Sequence, residues 1–124
     1  MPRDAITSDR FPPSPGPFSP GVRAGELIFL SGQIGTDPAT DQLVHGVAAQ
    51  TEQAFHNLAA VLQAAGRTLD DVVRVGVYLT DMGDFGAMNE TYAHHFSKPY
   101  PARTTIGVAA LPLGALVEID LVAR

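Results

Sequence analysis

Val47–Leu79 reads VAAQTEQAFHNLAAVLQAAGRTLDDVVRVGVYL, and the change of period halfway along it decides the fold. In its first part Val47, Thr51, Ala54, Phe55, Leu58, Val61, Leu62 and Ala65 recur at steps of three and four. That spacing draws one apolar stripe and predicts a helix over 47–65. The interspersed alanines favour the helix and permit close packing. Gly66 stands where a left-handed C-terminal cap is expected. From Val72 the period drops to two. Val73, Val75, Val77 and Leu79 alternate with Val72, Arg74, Gly76 and Tyr78, which predicts a strand over 72–79.

The same reasoning extends outward. Upstream, Ser19–Val22 and Glu26–Ser31 flank the turn Ala24-Gly25 as a candidate hairpin. Gly32 and Gly35 interrupt the pattern, and Asp37–Thr40 is a turn. Downstream, Asp84 is placed to cap a second helix ending near Phe96, with Phe85, Met88, Tyr92 and Phe96 as its apolar face. Pro99 and Pro101 stop it. Two strands follow, Arg103–Ala109 and Leu116–Ala123, separated by the loop Leu111–Gly114. The order β-β-α-β-α-β-β predicts an α+β two-layer sandwich, with both helices on one face of a mixed sheet. Prolines 2, 12, 13, 15, 17 and 20 crowd the start of the chain. Residues 1–17 are therefore expected to form a proline-rich arm, mobile at first and then pinned onto a single domain spanning 18–124.

A chain of 124 residues suffices for one self-supporting core. Without cysteine it has no disulfide, no thiolate nucleophile and no cysteine metal site. The net charge of -5 opposes binding to nucleic acid. No apolar run approaches the ~20 residues that span a bilayer, and the first residues lack a signal-peptide layout. A cytoplasmic location and no membrane partner are expected. Glu52 and His56 do not form an HExxH pattern, and no metal is expected. His94 and His95 are adjacent and expected at or near solvent. There is no glycine-rich phosphate loop, and no Gly-x-Ser-x-Gly elbow surrounds Ser31.

Alternation in the last two strands bears on function. Ile106 and Val108 point one way, Arg103, Thr105 and Gly107 the other; Val117, Ile119 and Leu121 oppose Glu118 and Asp120. With the aliphatic sets beneath the helices, Arg103 and Glu118 are expected together on the helix-free face, beside Val72, Gly76 and Tyr78. A half-apolar face with placed charges points to contact with another subunit and a cleft between subunits. By spacing alone, Arg103 and Glu118 read equally as a cross-strand ion pair contributing at most ~1 kcal/mol.

The stretches Leu30–Gly35, Ala65-Gly66 with Leu69–Val73, Val77–Met82, Phe85, Asn89-Glu90 and Tyr92, Pro101–Pro112 and Ala115–Asp120 resemble the Rid family of reactive intermediate deaminases (YjgF-type, also known as L-PSP endoribonuclease-like). The run Pro101-Ala102-Arg103-Thr104-Thr105 through Leu111-Pro112, followed by Val117-Glu118-Ile119, is the most specific part. The resemblance implies a chorismate-mutase-like fold and a homotrimer with three clefts between subunits. It also implies cofactor-free hydrolysis of 2-imino or enamino acids, such as 2-iminopropanoate and 2-iminobutanoate, to 2-keto acids and ammonia. In that frame Arg103 grips the substrate carboxylate with two parallel donors, and Glu118 positions or deprotonates the attacking water. Ser31, Asn89 and Thr105 match positions at the cleft, Thr105 standing where several relatives carry cysteine. Ser31 reads otherwise as a strand-end serine satisfied by its own turn, and Asn89 as an ordinary surface helix residue. Phe18 stands in a Gly-Pro-Phe setting where the archetypal deaminases often have tyrosine. It keeps the ring and loses the hydroxyl. Other readings are a pathway-specific deaminase of the 2-aminomuconate type and a non-catalytic trimer that binds small carboxylates. Endoribonuclease activity is opposed by the acidic charge.

Overall fold

The computed structural model describes residues 3–11 and 14–124. Eight strands and two α-helices follow in order: β1 (Asp4–Ala5), β2 (Gly21–Ala24), β3 (Leu27–Ile34), β4 (Thr36–Asp37), β5 (Gln42–Leu43), α1 (Val47–Ala64), β6 (Val72–Leu79), α2 (Phe85–Ala93), β7 (Ala102–Gly107) and β8 (Val117–Ala123). Six strands form one sheet in the order β1-β2-β3-β8-β6-β7, and β4 and β5 form a small hairpin. Only β6 and β7 pair in parallel, so the sheet is mixed. β8 enters last and runs antiparallel to both β3 and β6, its two neighbours.

The helix stripe forms as the spacing predicts. Thr51, Ala54, Phe55, Leu58, Val61 and Leu62 are buried on α1, against Ile28 and Leu30 of β3 and Val117, Ile119 and Leu121 of β8. Gly66 adopts φ 75°, the left-handed conformation of a terminating residue. Gln50 is buried too, outside the apolar stripe. Its amide donates to the Val44 carbonyl and accepts from the Leu116 backbone N–H, which ties α1 to the entry of β8. This buried polar residue pairs on both ends, as burial demands.

The described N-terminal residues are bound to the sheet more closely than the proline count foretells. Asp4–Ala5 pairs with β2, and Ile6 is buried in the core. Pro12 and Pro13, two of the prolines of the arm, lie outside the described residues, as do Met1 and Pro2. The second helix ends at Ala93, short of Phe96. Asp84 occupies its N-cap position without a side-chain capping bond; the preceding turn is held by Asp81, which accepts from the Gly83 N–H. His95, expected near solvent, is largely covered. It stacks on Phe55 at 4.5 Å and bonds to Glu52 at 2.8 Å, while His56 meets the other oxygen of the same carboxylate. Among the described residues no helix is long and apolar enough to cross a membrane.

Two face assignments change. In β6 the ladder with β8 slips between Val72 and Arg74. The extra residue of this bulge, Val73, is exposed, and Val72 turns into the core. A bulge exchanges faces for everything beyond it. In β7 the register sets Arg103 beside Val75 and Thr105 beside Val77. Val75 and Val77 are core residues, so Arg103 and Thr105 lie on the helix side, and Ile106 is left 45% exposed on the other. Hydrophobicity pointed the opposite way. The strand is at the sheet edge, where the helical layer covers it only partly and an arginine can lie against a helix with its head in the open.

Candidate active site

The two charges singled out by sequence are on opposite faces, with β6 between their strands. A cross-strand ion pair between Arg103 and Glu118 is therefore ruled out, as is their meeting on the helix-free face of one chain. Each stands in its own half of the candidate site.

The first half lies between β7 and α2. The Arg103 guanidinium donates to Asn89 Oδ1 at 2.7 Å. Its carbon lies 4.6 Å from the centre of the Tyr92 ring and 5.5 Å from that of Phe85. Asn89 and Tyr92 are three apart on α2 and so share a face. Asn89 is thus an anchor for Arg103 rather than a plain surface residue. Among the described residues Arg103 makes no ion pair, and its other donors are uncommitted. Two buried side-chain oxygens of the described residues lack any hydrogen-bond partner: the hydroxyls of Tyr92 and Thr105. One belongs to a ring under the guanidinium and the other to a residue two along the same strand face.

The second half is on the helix-free face, around the bulge between Leu30 and Gln33 in β3. Glu118 opposes Ile34 and folds over Gly32; any side chain at residue 32 would collide with the glutamate carboxyl group. Asp120 does likewise over Gly76 and accepts a hydrogen bond from the Tyr78 hydroxyl at 2.9 Å. Burial, and then the negative charge of Asp120, raise the Glu118 carboxyl above its ordinary 4.5. Next to Glu118 opens a cavity of about 600 Å³, bordered by Gly32, Phe18, Pro20, Pro112 and Asn57. Phe18 is 56% exposed at its rim. The Ser31 hydroxyl donates to the Ser19 carbonyl at 2.6 Å, and the Ser31 N–H to that of Pro20. Its side chain pins β3 to the segment before β2, twelve residues back, and not to the turn that follows it.

Thus Phe18, Gly32 and Glu118 gather in one half, with Ser31 behind them, while Arg103, Asn89 and Thr105 gather in the other. Sequence reasoning did not assign roles to Tyr92, Phe85, Gly32 or Asp120. Tyr92 and Phe85 were legible as the apolar face of α2 and as part of the family resemblance, with no role attached. Gly32 was visible as a pattern-breaking glycine. A carboxylate of raised proton affinity stands at one half, and a guanidinium held by an amide and two rings at the other. Together they suit a small planar acid that undergoes addition of water.

Residues 8–124 match the protein family described as Endoribonuclease L-PSP. The chain is 50% identical to Protein DfrA of Myxococcus xanthus, covering 99% of this chain and 96% of that protein. It is 43% identical to the 2-iminobutanoate/2-iminopropanoate deaminase of Mus musculus, over 98% and 90% of the two. The crystal structure of RidA from the Antarctic bacterium Psychrobacter sp. PAMC 21119 superposes with a TM-score of 0.93 at 44% identity, covering 98% of this chain and 99% of that one.

Proposed function

The chain belongs to the Rid family, and from that premise we propose that it is a deaminase that hydrolyses 2-imino acids to 2-keto acids and ammonia at sites shared between subunits of a homotrimer. The observation that carries this reading is Arg103: a guanidinium oriented by Asn89 and two rings, with no counter-ion and uncommitted donors among the described residues. Such a fork matches a carboxylate in bidentate geometry. Relatives named as imine deaminases, at 43% and 40% identity, support the reaction class.

The chemistry needs little more. A protonated imine carbon is already electrophilic. Glu118, ionised, accepts a proton as water adds to that carbon, forming a tetrahedral carbinolamine. The proton returns to nitrogen, the C–N bond breaks as the hydroxyl gives its own proton to Glu118, and ammonia leaves a ketone behind. The raised affinity of Glu118 for protons brings it nearer the working pH of a general base. Because Arg103 and Glu118 occupy opposite faces of one chain, this reading requires the arginine of one copy to meet the glutamate of another. Exposed Phe29 and Ile106 supply an apolar lining for that interface.

The test couples the protein to an enzyme that releases 2-iminopropanoate and follows imine loss with a semicarbazide trap. Wild type is expected to accelerate decay. Arg103→Ala should lower kcat/KM by about 100-fold, the worth of a doubly hydrogen-bonded charge. Glu118→Ala should lower kcat by about 10²–10⁴-fold. A folded wild type that leaves the imine lifetime unchanged overturns the proposal for these substrates.

A further inference from the structure

We infer that Tyr92 is a positioning residue: its ring holds the Arg103 guanidinium in the orientation that receives a carboxylate. The inference rests on the reading of Arg103 as the carboxylate clamp and adds the residue that makes the clamp rigid. An arginine at a sheet edge has four rotatable side-chain bonds and is free to sweep through solvent. Here its head is fixed from two directions. Asn89 accepts one N–H in the guanidinium plane, at 2.7 Å. The Tyr92 ring lies under the guanidinium carbon at 4.6 Å, well within cation–π range, with the Phe85 ring more distant at 5.5 Å. A face held by a ring and one edge held by an amide leave the remaining edge for a ligand.

Tyr92 can serve as a platform because it is itself immobile. It is 5% exposed. Phe55, fully buried on α1, meets it edge-on at 5.6 Å, and Phe96 lies against it at 5.0 Å. Phe55 is stacked in turn on His95, which is held by Glu52. The aromatic cluster thus connects the guanidinium to the middle of the hydrophobic core. Packing alone would be better served by phenylalanine, since the Tyr92 hydroxyl is buried without a partner among the described residues.

The experiment measures binding of pyruvate and of pyruvamide, which lacks the carboxylate, by calorimetry. It also measures KM and kcat for 2-iminopropanoate. The variants are Tyr92→Phe, Tyr92→Leu and Tyr92→Met, the last filling the space without a π face should the leucine variant fold poorly. Tyr92→Phe should stay within about two-fold of wild type. Tyr92→Leu and Tyr92→Met should weaken pyruvate binding and raise KM by about ten-fold, as a partly desolvated cation–π contact supports. Their kcat and pyruvamide affinity should remain within about two-fold of wild type, since the contact acts on the carboxylate alone. Equal losses for pyruvate and pyruvamide, or unchanged pyruvate affinity, overturn the inference. A wild type that binds pyruvate but turns over no imine overturns the deaminase reading and leaves the role of Tyr92 standing. A wild type that does neither overturns both.

Discussion

Glu118 and Asp120 alternate along β8 and so share the helix-free face, each folded over a glycine of a neighbouring strand. Burial, and then the negative charge of Asp120 beside it, discourage the ionisation of Glu118. If Glu118 is the base, activity is lost as pH falls through its folded pKa, which lies above 4.5. Asp120→Asn removes the charge next to it and keeps the shape. The acidic limb of the kcat/KM profile should then move to lower pH while the plateau holds, as a pH–rate series will reveal. An unmoved limb would mean that Glu118 is not the titrating group. Alternation alone made Glu118 visible, with Asp120, as an acid in an otherwise aliphatic strand. The role of Gly32 was hidden, because its meaning lies in which side chain folds over it.

Elements are held together here by a few close approaches between backbones. A methyl group on Gly35 would stand 2.6 Å from the Gln50 Cα and 2.8 Å from its carbonyl oxygen. The corner after β3 therefore touches the first turn of α1 with no room for a side chain. Gly35→Ala should push the helix from the sheet and strain the Gln50 bonds to Val44 and Leu116. The expected loss is about 1–3 kcal/mol, the usual cost of overpacking. Urea unfolding will measure it as a lower midpoint with an unchanged slope. The helix α1 was legible from its eight-residue stripe and its terminal glycine, since periodicity and capping are local. Gln50 was not, because a polar residue in a helix announces neither its burial nor the distant partners that satisfy it. Nor was the bulge at Val73, as a slip in register belongs to two strands at once.

For the whole molecule, a site divided between copies makes a prediction that no single-chain site does. Subunits carrying Arg103→Ala and subunits carrying Glu118→Ala are each expected to keep about 1% of wild-type activity or less alone. Mixed by joint refolding in equal amounts, they should recover about a quarter of wild-type activity, the statistical share of sites that pair an intact arginine with an intact glutamate across a symmetric interface. Activity that stays at the level of the separate variants would place the arginine and glutamate in separate roles. Light scattering on the wild type should give the mass of three chains.

The sequence by itself determined the order of the two helices and the five main strands, the α1 core stripe, the mixed α+β architecture and the family, since each is written in local period, capping and contiguous motif; the short strands β1, β4 and β5 were not legible. Arg103, Asn89, Thr105 and Glu118 were likewise recognisable as candidates. Only the tertiary structure decided on which face each of them lies. Ile106 and Val108 look like core and Arg103 like surface, yet the parallel register with β6 puts Arg103 and Thr105 beside Val75 and Val77 and leaves Ile106 outside. The physical reason is that alternation gives two faces without naming them. The pairing partner and the helix that covers only part of an edge strand choose between them.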